Sequence, residues 1–211
     1  MGTIKQGILG GFNGKVGTVV GSSWKGEAYM RGLAQHVKNP KTEKQLEQRH
    51  KMNLAQQFMK QALQFINLGL KDVAKKQSPF NYAVRQMVNN AIGDAPDYEI
   101  DYSKIILSHG ILTPPSVQIM YVNETDLDIF WGDQNAHGNA KDDDVAVFLC
   151  YNVEKQIVFI DLNLFPRSYA SAHVRLPDSW VLDHIHAWFA MRSADNKLIT
   201  NSEYLGYYRL E

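Results

Sequence analysis

His184 and His186 have a spacing at which two imidazoles could share a metal ion on a β-strand. Residues two apart on a strand project from the same face, so both rings would lie beside Trp188. Zinc normally needs a third or fourth ligand, and the sequence identifies none for this pair. We therefore favour the alternative interpretation, a strand face exposed to solvent or to a partner.

A second candidate metal site is the acidic loop 133–144, whose spacing follows the twelve-residue calcium-binding pattern. Asp133, Asn135, Gly138 and Asp144 stand at positions 1, 3, 6 and 12 of that pattern. Position 5 holds a histidine, and position 12 holds an aspartate where a longer, bidentate glutamate is usual. The loop also joins strands and not helices, so an exposed acidic hairpin loop is the favoured alternative.

The only cysteine, Cys150, lies in the apolar run 145–151 and has no partner for a disulfide. Burial in such a run raises the pKa of a thiol and makes it unreactive. No serine has the G-x-S-x-G context of a nucleophile elbow. We predict that the protein is not an enzyme and that it uses neither a metal nor a cofactor.

The charges of the chain balance overall but are divided between its halves. Lysine and arginine number 22, as do aspartate and glutamate, yet residues 1–100 carry 14 basic and 7 acidic side chains. The division predicts two differently built units, which would attract each other between molecules or dock within one chain. Self-association is the prediction, and a monomer with internally docked halves is the alternative.

Membrane insertion and secretion are not predicted from this sequence. The N-terminal residues contain no continuous apolar segment like that of a signal peptide. No stretch approaches the 18 apolar residues of a transmembrane helix. We expect a cytoplasmic protein without a membrane partner.

The first third of the chain changes from a glycine-rich segment to helices. Residues 1–33 contain nine of the fifteen glycines and predict a hairpin over 15–33 with its turn at Lys25 and Gly26. Apolar residues at helical spacing predict helices over 42–73 and 79–92, the second with proline at its first position. A strand is predicted over 102–107, and the helices are expected to cover the hairpin in an α+β region, residues 1–112.

The rest of the chain alternates short apolar runs with turn residues, beyond a linker predicted at Gly110 to Pro115. Seven short strands in this length predict an antiparallel β-sandwich over residues 115–211. The run 145–151 has no polar residue, so it should be covered on both faces or lie centrally in a sheet. The predicted strands are 117–122, 127–131, 145–151, 157–162, 170–176, 184–191 and 198–207.

Two resemblances accompany these patterns. Trp131 on the second predicted strand, and Leu176-Pro177 with Trp180 before the sixth, resemble the core tryptophan and corner motif of fibronectin type III and related immunoglobulin-like domains. The resemblance implies the fold of the C-terminal half and transfers no binding residue.

The second resemblance extends over most of the chain. The segments GGFNGKVGTVVGSSWKG, YMRG, N-P-x-T-x-x-Q and WGDQNAHGNAKDDDVAVFLCYN are similar to an uncharacterised family of Bacteroidetes proteins of about 200 residues, a domain of unknown function. This resemblance implies no activity and no active site.

A non-catalytic structural or protein-interaction protein is the function that these observations favour, such as a component of a prophage-type or other assembly. One alternative is a glycan-binding module that uses Trp188, Tyr207 and Tyr208 as exposed aromatic side chains. Another is nucleic-acid contact through the basic N-terminal half, against which Glu43 and Glu47 interrupt the basic residues of the first helix.

Overall fold

A computed structural model describes residues 2–4, 7, 10–24, 26–36, 39, 41–74, 77–115, 118–132, 138–162 and 165–211. Within these residues the protein is α+β, with three α-helices and eleven strands that pair antiparallel. The chain forms two compact units, Met1–Thr42 and Glu43–Glu211. The helices are α1 Glu43–Gln61, α2 Leu63–Gly69 and α3 Pro79–Asn90. The strands are β1 Thr3–Ile4, β2 Phe12–Val16, β3 Val19–Trp24, β4 Glu27–Gly32, β5 Gln118–Asn123, β6 Asp126–Trp131, β7 Val145–Asn152, β8 Ile157–Asp161, β9 Ser171–Arg175, β10 His184–Arg192 and β11 Glu203–Arg209.

The unit Met1–Thr42 is a sheet in the order β1-β2-β3-β4. The hairpin predicted in this segment is present as β3 and β4, with Trp24 opposite Glu27. The predicted first strand is in fact two strands, because the chain turns at Gly17, whose φ of 56° is in the left-handed region. Lys25, in the predicted turn, lies outside the described residues.

The helices follow the apolar spacing of the sequence, with one break. Ser78 caps α3 by accepting a hydrogen bond from the Asn81 backbone N–H (3.1 Å), and Pro79 is at the first helical position. The predicted helix over 42–73 is divided at Ala62 into α1 and α2, and it ends at Gly69.

The strand predicted over 102–107 is wrong. Tyr102–Lys104 form a 3₁₀ turn, in which the Asp101 carboxylate accepts hydrogen bonds from the backbone and hydroxyl of Ser103. Local capping by an aspartate competes with strand pairing. The turn directs the Tyr102 ring onto His186 of β10.

Seven strands lie within the described residues beyond position 115, in two sheets with orders β11-β10-β7-β8 and β5-β6-β9. Apolar side chains of both sheets form one hydrophobic cluster, which includes Trp131, Phe148 and Phe189. β7 is buried on both faces, as its apolar sequence predicts. The last strand begins at Glu203, later than predicted, because residues 193–199 form a turn closed by the Ser193 and Leu198 backbones.

The helices cover the outer face of the sheet β11-β10-β7-β8. Phe58 and Ile66 from the helices cluster with Val147, Leu149 and Trp188 of the sheet. This sheet thus covers the apolar side of the helices, whereas the sequence predicts the glycine-rich hairpin as their cover. Local periodicity shows that a helix has an apolar side without showing which surface covers it.

The chain divides into compact units between Thr42 and Glu43, whereas the sequence predicts a boundary at residues 112–115. The predicted linker is bound to the loop before β11. Ser108 donates its hydroxyl to Thr200 O (2.9 Å), and the Leu112 backbone N–H donates to Ile199 O (3.0 Å). These bonds join the helices and the sandwich in the unit Glu43–Glu211.

Across the described ranges, no helix is both long and apolar enough to cross a membrane.

Candidate functional site

The face of β10 that carries His184 and His186 supports a column of aromatic rings. His184 stacks on Tyr207 at 5.2 Å between centroids with 7° between planes, and Tyr207 lies 4.8 Å from His186. His186 in turn stacks on Tyr102 at 3.8 Å and 17°. Both histidines therefore lie on one face of β10, as the alternation predicts. The ring of Tyr102, which was predicted to lie in a strand, completes the column from the 3₁₀ turn.

The two histidines contact different polar partners. His184 Nδ1 is 2.7 Å from Glu154 Oε1, and the His184 backbone N–H donates to Glu154 Oε2 (2.8 Å). His186 Nδ1 is 2.7 Å from the Tyr204 hydroxyl. In the part of the chain that the structure describes, no group of three or more histidine, cysteine, aspartate or glutamate side chains could hold a metal ion.

Burial under Tyr102 lowers the pKa of His186 to about 4, because the charged imidazolium loses its hydration there. Burial also raises the pKa of the Tyr102 hydroxyl, with a further contribution from the neighbouring Tyr151. Both groups are therefore neutral near pH 7. The arrangement is that of a packed aromatic cluster with a neutral histidine at its edge.

We expect stability to fall by about 2 kcal/mol between pH 7.5 and pH 5 because of His186. The folded-state pKa of about 4 is below the ordinary value near 6.5, so the unfolded chain binds a proton in this range while the folded chain does not. Urea unfolding at the two pH values measures the loss in wild type and in His186→Gln. The variant should lose less stability than wild type, and equal losses in wild type and His186→Gln would contradict the assignment.

Of the three aromatic side chains predicted to be exposed, Trp188 is buried. Its exposed fraction is 0%, because Phe58 of α1 and Tyr102 cover it. Tyr208 is partly buried, packs against the core between the sheets and donates its hydroxyl to Leu205 O (2.8 Å). Tyr207 alone of the three is exposed, at 54%.

Asp144, a candidate calcium ligand in the sequence, is in a buried ion pair. Its Oδ2 is 3.3 Å from Arg167 Nε and accepts the Lys141 backbone N–H (2.9 Å). Arg167 also donates to Thr113 O (2.7 Å), and its own backbone carbonyl accepts the Trp131 indole N–H (2.8 Å). The guanidinium beside this carboxylate opposes the binding of a cation there.

The other residues of the predicted calcium loop, Asp133 and Asn135, lie outside the described residues. Cys150 is buried between the sheets, and burial raises the pKa of its thiol well above the ordinary value. Lys51, one of the basic residues on the first helix, is buried and pairs with Asp94 (2.5 Å) and Glu47 (3.5 Å). Its charge is therefore already compensated within the chain.

The sheet of Met1–Thr42 offers a different kind of surface, because its side chains are exposed on both faces. Residues paired across neighbouring strands share a face. We call one side the apolar face: Gly14, Val16, Val19, Gly21, Ser23, Ala28, Met30 and Gly32. We call the other side the mixed face: Lys15, Val20, Ser22, Trp24, Glu27, Tyr29 and Arg31.

Among the described residues of this unit, only Gly21 is buried. The ring of Phe12 lies over it, and a Cβ at that position would come within 2.7 Å of the ring. Met30 and Trp24 are 69% and 67% exposed. A sheet of this size normally needs a covered hydrophobic face for stability, so these side chains are candidates for contact with another molecule.

The β3–β4 hairpin was predictable from the sequence, but the exposure of its side chains was not. The sequence indicates the apolar face, because alternate positions of β3 and β4 carry no charged residue. The sequence does not show that this sheet lacks a core, because the nearest helices were predicted to cover it.

Comparison with known proteins adds one finding. A family model matches residues 11–206, which include strands of both compact units. The chain belongs to DUF6266, a family of unknown function. The DUF6266 match includes β2, β3 and β4 together with the helices and most of the sandwich. No curated protein and no solved structure matches the chain.

Proposed function

We propose that this DUF6266 protein is a non-catalytic structural or protein-interaction protein, and that the sheet of Met1–Thr42 is its assembly surface. The observation that supports this is the single buried residue, Gly21, in the described part of the unit. The unit Glu43–Glu211, by contrast, has two hydrophobic clusters and serves as the folded body. A component of a prophage-type or similar assembly fits this division of roles.

The exposed side chains of the sheet supply a driving force for association. Burying a large apolar side chain contributes about 1.5–3 kcal/mol. On the apolar face, Val16 and Met30 are each at least half exposed in the structure. Contact with a partner would bury several such side chains and give the sheet the core that it lacks.

The two compact units also differ in net charge. Met1–Thr42 contains six basic residues and one acidic residue, whereas Glu43–Glu211 contains 16 basic and 21 acidic residues. Exposed charges act over about 8 Å at physiological salt, so they guide an approach that apolar burial then stabilises. These counts give net charges of +5 and −5 for the two compact units.

An immunoglobulin-like, fibronectin type III-like sandwich is part of this proposal. The sheet orders β11-β10-β7-β8 and β5-β6-β9 support it, because such domains pair the first, second and fifth strands in one sheet. Trp131 and Trp180, the tryptophans of the resemblance, are both buried in the core between the sheets. A source among Bacteroidetes proteins stays a prediction from the sequence.

We expect the amides of β2, β3 and β4 to exchange hydrogen fast in the dilute full-length chain and to become protected on assembly. The reason is that a sheet without a core opens easily, whereas β7 and β10 are buried on both faces. Hydrogen exchange by mass spectrometry over a concentration series measures this, with sedimentation velocity reporting the assembly state. Strong protection of β2–β4 in a verified monomer would contradict the proposal.

A glycan-binding module is the second candidate, supported by the exposed ring of Tyr207 stacked on His184. Exposed aromatic rings are suitable platforms for the apolar faces of sugars. A glycan array with wild type and Tyr207→Ala tests it. Specific binding that Tyr207→Ala loses would favour the glycan-binding function. An array on which wild type binds no glycan would exclude this function.

A further inference from the structure

In the part of the chain that the structure describes, β4 is the longer edge strand of the N-terminal sheet and pairs with β3 alone. It contains six residues, all exposed, whereas the opposite edge, β1, contains two. Proteins usually protect such an edge with proline, lysine or a bulge. β4 has no proline and no lysine, and its register with β3 is continuous from Glu27 to Gly32.

The backbone groups of β4 alternate between β3 and the open side. The Leu33 N–H donates to Thr18 O (2.7 Å), so the odd-numbered positions of this segment point toward β3. The N–H and C=O groups of Ala28, Met30 and Gly32 consequently point away from the sheet. These are the groups that an added strand would bind.

The charges of β4 match a second copy of the same strand. Glu27 and Arg31 lie on the mixed face, two residues on either side of Tyr29. If two antiparallel β4 strands pair with Tyr29 opposite Tyr29, each Glu27 is opposite the Arg31 of the other copy. The same register places Ala28 opposite Met30, where the outward backbone groups of both residues can form hydrogen bonds.

We propose that two copies of this chain associate through antiparallel β4–β4 pairing centred on Tyr29. The proposal rests on the assembly function above and names a second copy as the partner. Such a contact is self-complementary, as two-fold symmetry requires. It joins the two sheets into one of eight strands and extends the apolar face across both copies.

The full-length chain should form a dimer in sedimentation velocity, and reversing one charge should weaken it. In Glu27→Arg or Arg31→Glu, both symmetry-related pairs change from attraction to repulsion. We expect the dissociation constant of the dimer to rise about tenfold or more. The double variant, which carries both substitutions, should dimerise like wild type, because the exchanged charges again lie opposite each other.

Mixing the two single variants provides the sharpest measurement. One carries two arginines and the other two glutamates at these positions, so a mixed pair has attraction at both contacts. Native mass spectrometry of isotope-labelled Glu27→Arg with unlabelled Arg31→Glu should show heterodimers that form more tightly than either homodimer. Lys15→Glu is the matched control, since it reverses a charge on the same face, but on β2 and away from the edge.

A proline at position 30 tests the same contact through the backbone. The Met30 N–H faces the open side, so Met30→Pro should keep the β3–β4 pairing and abolish the dimer. Single-charge variants that dimerise as tightly as wild type, or mixtures no tighter than their components, would overturn the proposal. If β2–β4 still became protected with concentration, the assembly function would stand and only the β4 register would fail.

Discussion

Replacing Arg167 with methionine should lower the free energy of unfolding by about 3–5 kcal/mol. The side chains of Arg167 and Asp144 are 1% and 0% exposed, so the substitution leaves a buried carboxylate without its cation. The variant also loses the hydrogen bond to Thr113 O, which ties the segment before β5 to the sandwich. Urea unfolding followed by tryptophan fluorescence measures the loss.

Two variants serve as controls for this result. Arg175→Met removes an ion pair with Asp178 whose side chains are 67% and 78% exposed, and it should cost much less than Arg167→Met. The double variant Asp144→Leu with Arg167→Met removes both charges and should be more stable than Arg167→Met alone. Equal losses from Arg167→Met and Arg175→Met would show that the buried pair has no special importance.

Replacing Trp188 with alanine should also lower stability by about 3–5 kcal/mol. The indole is fully buried, with ring centroids 5.9 Å from Phe58, 6.3 Å from Tyr102 and 5.5 Å from Tyr204. It therefore connects the sheet with α1 and the 3₁₀ turn. The cavity would separate these elements, and thermal unfolding by circular dichroism would show the lower midpoint.

Tyr207→Ala is the matched control, because Tyr207 lies on the same sheet face but is half exposed. It should cost much less than Trp188→Ala, since much of its ring already contacts water. A similar cost for the two substitutions would contradict the packing that the structure shows.

The strands of the sandwich were predictable because their signals are local. Alternation of apolar and polar residues identified β6 and β10, and the uninterrupted apolar run identified β7 as a strand buried on both faces. α3 was equally readable, from Ser78 at its cap and Pro79 at its start. In each case a few neighbouring residues contain the information.

The contacts between distant residues were not predictable. Asp144 looks like the last ligand of a calcium loop, and only the fold brings Arg167 to it across 23 positions. Gly110 and the two prolines after it look like a linker, yet hydrogen bonds to residues 199–202 hold this segment in place. Local turn chemistry is the same in a free linker and in a bound one.

The sequence by itself determined which side chains share a face, because the two-residue period of a strand is a property of the backbone. It therefore placed His186 and Trp188 together on β10 and left the alternate positions of β4 uncharged. Only the tertiary structure decided which faces are covered, because that depends on where the helices pack. Phe58 and Tyr102 bury Trp188, while Met30 on the N-terminal sheet stays exposed.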